Sequence, residues 1–168
     1  MVLSLLVAAA GVLTSTPVAD PCRDFVLEKN PHVQWTNPDG LTADLTFDGS
    51  PELALWGVAA DTTVLVIVEC RTNGPGRSWR FEFRFRAICG SAHVEAELEN
   101  PAFGEGYLFE QCLGAESSPE CVDLAALDRR LQAAHEAGGW GLRLGIPDCD
   151  GVHLYWDEEA GDFRTWRL

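Results

Sequence analysis

The sequence predicts a mainly β protein, a disulfide-bonded two-sheet β-sandwich with one α-helix at about residues 123–137. Three observations predict it. Short runs of strict apolar–polar alternation recur along the chain, separated by Gly, Pro, Asn and Asp, which is the pattern of half-buried strands joined by turns. Six cysteines, Cys22, Cys70, Cys89, Cys112, Cys121 and Cys149, follow an apolar leader, and an even count in that context reads as a disulfide framework. One segment alone carries clear helical spacing. The chain has 168 residues, the size of one domain.

The chain opens with MVLSLLVAAAGVLTSTPVA. Its apolar part, Val2 to Leu13, is too short to span a bilayer, and small residues follow it. This predicts a signal peptide over 1–19 and a mature domain over 20–168, hence a secreted protein. Cys22 to Asp39 is interrupted by Pro31 and Pro38, with a short strand at His32 to Thr36. Leu41 to Phe47 alternates, with Leu41, Ala43, Leu45 and Phe47 inward and Thr42, Asp44 and Thr46 outward. Asp48-Gly49-Ser50-Pro51 is a turn. Leu53 to Ala59 is a further strand. Thr62 to Cys70 is apolar almost throughout and rich in β-branched residues, so it is expected to be an inner strand covered on both faces.

Ser78 to Glu99 supplies the strongest pattern. Trp79, Phe81, Phe83, Phe85 and Ala87 alternate with Arg80, Glu82, Arg84 and Arg86; Ala92, Val94, Ala96 and Leu98 alternate with His93, Glu95 and Glu97. With Cys89-Gly90 between them, the two runs are expected to form a hairpin. Two registers keep the apolar faces together. One pairs Phe85 with Val94 and Arg84 with Glu95. The other pairs Arg84 with Glu97 and Arg86 with Glu95.

Beyond this, Tyr107 to Leu113 is a candidate strand. The helix spans about Leu124 to Ala137, with Asp123 as N-cap, Val122 stapled onto Leu127, and Gly138-Gly139 at its end. Leu124, Leu127 and Leu131 form its apolar stripe. Trp140 to Ile146 alternates again, with Trp140, Leu142, Leu144 and Ile146 on one face. Val152 to Trp156 and Phe163 to Trp166 form a last hairpin around the acidic loop Asp157 to Asp162. The total is eight or nine strands and one helix.

The net charge is −14, and the leader carries no ionisable side chain. Such acidity argues against nucleic acid and anionic membranes as partners and favours a basic protein. No GxSxG, HExxH, P-loop or GxGxxG sequence is present. The four histidines, His32, His93, His135 and His153, are scattered on expected polar faces. Asp148-Cys149-Asp150-Gly151 lacks the acidic ligands of an EF-hand. No pair of cysteines has zinc-site spacing. Glu82, Glu95, Glu97 and Glu99 are interleaved with arginines, which suits ion pairing rather than general acid catalysis. No catalytic residue, metal or cofactor is therefore expected.

Two resemblances add to this. TTVLVIVEC followed by RFEFRFRAICGSAHVEAELE, with Cys70 and Cys89 as the matched cysteines, resembles the secreted chemokine- and cytokine-binding proteins of poxviruses. GGWGLRLGIPDC, Gly138 to Cys149, is similar to a glycine-led strand of that family, which lies earlier in its chains. The resemblance implies an acidic, secreted, disulfide-bonded β-sandwich that sequesters host immune proteins. FEFRFRAICGSAHVEAEL followed by YLFEQCLG is similar to the extracellular β-sandwich module named after farnesoic-acid methyltransferase, a ligand-binding unit.

The functional expectation is a non-enzymatic, secreted viral immunomodulator that binds a basic cytokine or chemokine. The expected contact residues are Asp157, Glu158, Glu159 and Asp162 of the acidic loop, with Glu105 and Tyr155. The alternative is a carbohydrate- or small-ligand-binding module that uses exposed aromatic residues, Trp166 and Tyr155 first among its six tryptophans and two tyrosines.

Overall fold

The computed structural model describes residues 20–84, 94–103, 119–146 and 151–166. Nine strands and two helices are defined among them. They form the expected two-sheet sandwich, with a helix outside each sheet.

The chain enters through helix α1, Pro21–Lys29. Asp20 caps it, accepting from the Cys22 and Arg23 amides at 3.0 and 3.3 Å, and Pro21 fills the first turn, where no amide is needed. This helix was not expected from the sequence, although Asp20-Pro21 is a helix start signal. It buries Cys22 and Val26.

The first sheet contains β1 (Gln34–Trp35), β2 (Leu41–Ala43), β3 (Glu52–Ala59), β4 (Thr62–Arg71) and β5 (Gly74–Phe83), all antiparallel. Its order is β1-β3-β4-β5, and β2 pairs with the same edge of β3 as β1 does. The chain turns between β1 and β2 at Gly40, whose φ is 70°. A Cβ at Gly40 would lie 2.6 Å from the Ala54 carbonyl oxygen, so only glycine fits. Ala59 pairs with Thr62 and Arg71 with Gly74, so tight turns turn β3 into β4 and β4 into β5.

The second sheet is a meander of β6 (Glu95–Glu99), β7 (Gly141–Gly145), β8 (Gly151–Asp157) and β9 (Asp162–Trp166). The described parts of the two alternating runs predicted to pair with each other fall in different sheets, and residues 85–93 of the expected hairpin lie outside the described residues. β5 pairs with β4, and β6 pairs with β7. Alternation specifies which face of a strand is apolar, and β4 and β7 offer an apolar face as readily as the predicted partner does. Of the expected ion-pair partners, Glu97 meets Arg143 at 2.8 Å and Arg84 lies 4.0 Å from Asp61, while Arg86 lies outside the described residues.

The core lies between the sheets. Ala54, Trp56, Leu65 and Ile67 from the first sheet pack on Val94, Leu142, Leu144, Val152, Leu154, Trp156 and Phe163. Trp79 meets Trp156 and Phe163 edge-to-face, with ring centroids 5.5 and 5.2 Å apart, a favoured aromatic geometry. Trp56 Nε1 donates across the sandwich to the Val94 carbonyl at 3.1 Å. A second core lies behind the first sheet, where Leu53, Leu55, Val64, Val66 and Val68 pack on Cys22, Val26 and Val33. The prediction that the β4 strand is covered on both faces holds.

Helix α2, Pro119–Glu136, lies outside the second sheet. Leu131 is buried with Phe103 and Tyr155, with Leu124, Leu127 and Trp166 at the margin. It begins earlier than expected, so Asp123 is inside the helix rather than its N-cap. Val122 is 53% exposed and staples nothing. Trp140 is also exposed, at 37%, while Leu142, Leu144 and Ile146 are buried as expected.

Cys22 and Cys70 form a disulfide with Cα atoms 5.8 Å apart. It ties α1 to β4. Cys121 is disulfide-bonded too, and no cysteine among the described residues is free. Cys89, Cys112, Cys149, the leader and the Tyr107 to Leu113 strand lie outside the described residues. No helix among those described is long and apolar enough to cross a membrane.

The Cys22–Cys70 bridge closes a separation of 48 residues. A Cys22→Ala/Cys70→Ala double variant should lose about 4 kcal/mol of unfolding free energy through the freed unfolded chain. Urea denaturation of the variant and the parent checks this.

Candidate functional site

Strand β2 ends at Ala43, earlier than the alternation to Phe47 predicts. The reason is Glu52. This residue faces the inside of the sandwich and is 1% exposed. Its Oε2 accepts from the Leu45 and Thr46 amides at 2.7 and 3.0 Å, and its Oε1 lies 3.2 Å from Thr46 Oγ1. The carboxyl thus takes the place of a strand partner and folds the backbone into a loop. Thr46, expected outward, is buried at 5%.

Phe47 follows with a φ of 60°, a conformation that costs a non-glycine residue roughly 1 kcal/mol. Its ring packs against both the inter-sheet core and the cluster under α2. Gly139 makes room for it, since a Cβ there would collide with the Phe47 ring. Asp44 holds the rest of the loop. Its two carboxylate oxygens accept from the Asp48 and Gly49 amides at 3.1 and 3.0 Å. The Asp44 carbonyl accepts from the Trp140 amide at 2.9 Å, fastening the loop to the end of α2.

This loop, the C-terminal half of α2 and the β8–β9 turn enclose a groove of about 560 Å3. Its walls are Ala133, Ala134, Ala137 and Gly139 on one side and Asp44, Asp48 and Gly49 on the other, with Phe47, Arg130 and Glu158 also lining it. A smaller pocket of about 70 Å3 adjoins it, lined by Leu127, Leu131, Trp156, Asp157 and Glu159 besides shared residues. The floor is apolar and the rim carries carboxylates. Arg130 pairs with Glu159, and Arg164 with Asp157. Asp44, Asp48 and Glu158 have no cationic partner among the described residues.

Of the contact residues read from the sequence, Glu158 lines both the groove and the smaller pocket, while Asp157 and Glu159 line the smaller pocket alone. Asp162 ends the same turn, paired with Asp157 across the hairpin. Tyr155 is placed differently, only 9% exposed, with its ring edge-to-face on Phe103. Trp166 stacks on His153 with centroids 4.0 Å apart. Tyr155 therefore offers no open ring face, whereas Trp166 is half-buried with one face covered by His153. Glu105 lies outside the described residues. Sequence reading missed Asp44, Asp48 and α2 as parts of the site. The one available signal was the Asp48-Gly49-Ser50-Pro51 turn beside Asp44.

A second ionic cluster underlies the same end of the sandwich. Glu69 pairs across the sheet with Glu52 and is bound by Arg77 Nε at 2.7 Å and by Arg71. Arg77 spreads over Trp79 and Trp156, 5.1 and 5.6 Å from their centroids. Gly76 admits the Glu69 carboxylate, since a Cβ there would be 2.6 Å from Oε2. Burial pushes the Glu69 carboxyl up, but its bonds from Arg77 and Arg71 outweigh that, and the net displacement is downward.

His153 Nδ1 lies 2.8 Å from Glu99 Oε1. His153 is 7% exposed rather than on an open polar face as predicted. No group of three or more potential metal ligands occurs among the described residues.

Comparison of the chain with known proteins gives no matching family, no matching curated protein and no matching solved structure.

Burial displaces the Glu52 carboxyl from 4.5 to about 7, and Asp48 adds to the rise against the lowering effect of its Leu45 and Thr46 bonds. The folded state therefore binds a proton that the unfolded chain has released. The contribution of Glu52 to stability is greatest below the unfolded value of 4.5 and falls as pH rises towards about 7. Glu52→Gln keeps a carbonyl for both amides and a donor for Thr46 Oγ1. It should fold normally and flatten this pH dependence by a few kcal/mol, measured by urea denaturation across that interval.

Proposed function

We propose that this protein is a secreted, acidic binding protein that sequesters a basic protein partner in the groove between α2, the Asp44–Ser50 loop and the β8–β9 turn. The observation that carries the reading is the groove itself. Its alanine and phenylalanine floor accepts the aliphatic stem of a lysine or arginine, and its rim offers Asp44, Asp48 and Glu158 to the charged head. The net charge of −14 steers a basic partner towards the protein from a distance. The signal-peptide pattern and the disulfides support an encounter outside the cell. The resemblance to secreted poxvirus proteins suggests the class of partner, a host cytokine or chemokine.

Surface plasmon resonance against a panel of basic chemokines and cytokines tests this. At least one should bind, with affinity falling as salt is raised. Glu158→Lys should weaken that binding about tenfold, in the range of a close charge pair. Glu28→Lys, an exposed change on α1 away from the groove, should leave it within about twofold, as distant charges are screened. Binding of no basic protein, or binding indifferent to salt, overturns the proposal.

A further inference from the structure

The buried carboxyl of Glu52 and the acidic rim of the groove belong to one short segment. Asp44 and Asp48 stand on the rim, and Phe47 lies between them in the lining. The Leu45 and Thr46 amides, whose residues lie between Asp44 and Phe47, point down to Glu52. Charge placed on the rim therefore acts on Glu52 through the same short segment, and Glu52 is 1% exposed, so electrostatic coupling there is strong. We infer that Glu52 couples the groove to a proton: a cationic group seated on Asp44, Asp48 and Glu158 drives the proton off Glu52, so the partner is held more tightly at neutral than at acidic pH. This rests on the docking reading given above.

The surroundings of Glu52 favour such a link. Strands β2 and β3 bring no other ionisable side chain to it. Its loop brings Asp44 and Asp48. From β4 it faces Glu69, already neutralised by Arg71 and Arg77. The negative neighbour that acts on it is Asp48, which holds its proton on. A ligand guanidinium over Asp48 cancels that influence. By linkage, a ligand that eases ionisation binds better once ionisation has occurred. Both forms of the carboxyl keep the loop in place. The neutral form donates to Thr46 Oγ1 and still accepts both amides, so the switch changes charge without unfolding the groove. His135 is a further ionisable group near the groove. Its Nδ1 is 2.9 Å from the Gly139 carbonyl oxygen, and it contributes equally to parent and Glu52 variant.

The probe is hexa-arginine, which stays fully charged throughout. Calorimetry in buffers of different ionisation heat counts protons released on binding. The parent protein should release more than Glu52→Gln at about pH 6.5, with the difference gone at about pH 9. Between about pH 5.5 and pH 8, parent affinity should rise about fivefold more than that of the variant. A second arm needs no ligand. The Glu52 carboxyl carbon, followed by NMR, should titrate at lower pH in Asp48→Asn than in the parent. Equal proton release from parent and Glu52→Gln overturns the coupling and leaves the docking reading intact. An unmoved Glu52 midpoint in Asp48→Asn also overturns the coupling, whatever the peptide does. Failure of both proteins to bind hexa-arginine overturns docking, and the linked release with it.

Discussion

Strand β4 is buried from Thr63 to Glu69 on both of its faces, and every layer of the molecule is fastened to it. Its odd-numbered residues face the second sheet, and its even-numbered residues face α1. A strand with no solvated face has no alternative register that keeps charge out of the core. Fixing it fixes its neighbours: β3 and β5 pair along its length through tight turns. Cys70 then ties α1 to one end, and Glu69 gathers Arg71 and Arg77 at the same end.

The legible parts of the fold were those in which one strand or face is decided by its own residues. The β-branched run from Thr62 to Cys70 declared a doubly covered strand, and β3, β7, β8 and β9 appear close to their predicted places. What alternation could not give was partnership. The runs around Phe81 and Ala96 are equally amphipathic, yet they end in opposite sheets and meet only across the core. The tight turn at Thr72-Asn73 decides this, because it returns β5 onto β4 at little loop-closure cost. Helix α1 was missed because two prolines nearby outweighed a capping signal of two residues, Asp20-Pro21.

The candidate site was half legible for a similar reason. Asp157, Glu158 and Glu159 stand together in sequence and were recognisable as an acidic turn. Their opposite wall comes from a loop over a hundred residues earlier, where Asp44 and Asp48 looked like ordinary outward polar positions. Glu52 carried no signal at all. A glutamate beginning a strand after a proline is normally solvated, and only the pairing of β2 with β3 reveals that it points inward.

Local rules are broken repeatedly between Asp44 and Glu52, and seldom elsewhere among the described residues. Phe47 adopts a left-handed backbone away from any two-residue turn, whereas Ala60, the other such residue, sits in the β3–β4 turn where that conformation is useful. Glu52 is a carboxyl in an apolar interior, far more costly than the leucine or valine that fills its neighbours. Asp44, Asp48 and Glu158 line one groove with no ion pair to any of them among the described residues, whereas Arg130 in the same lining pairs with Glu159 and Arg164 pairs with Asp157. Each of these reduces stability, and a sequence selected for stability alone would remove them. Such departures gather where a protein must meet something else, and here the missing component has a definite sign. A positive charge in the groove relieves the repulsion among Asp44, Asp48 and Glu158 and eases the ionisation of Glu52, so one ligand chemistry answers several local costs together.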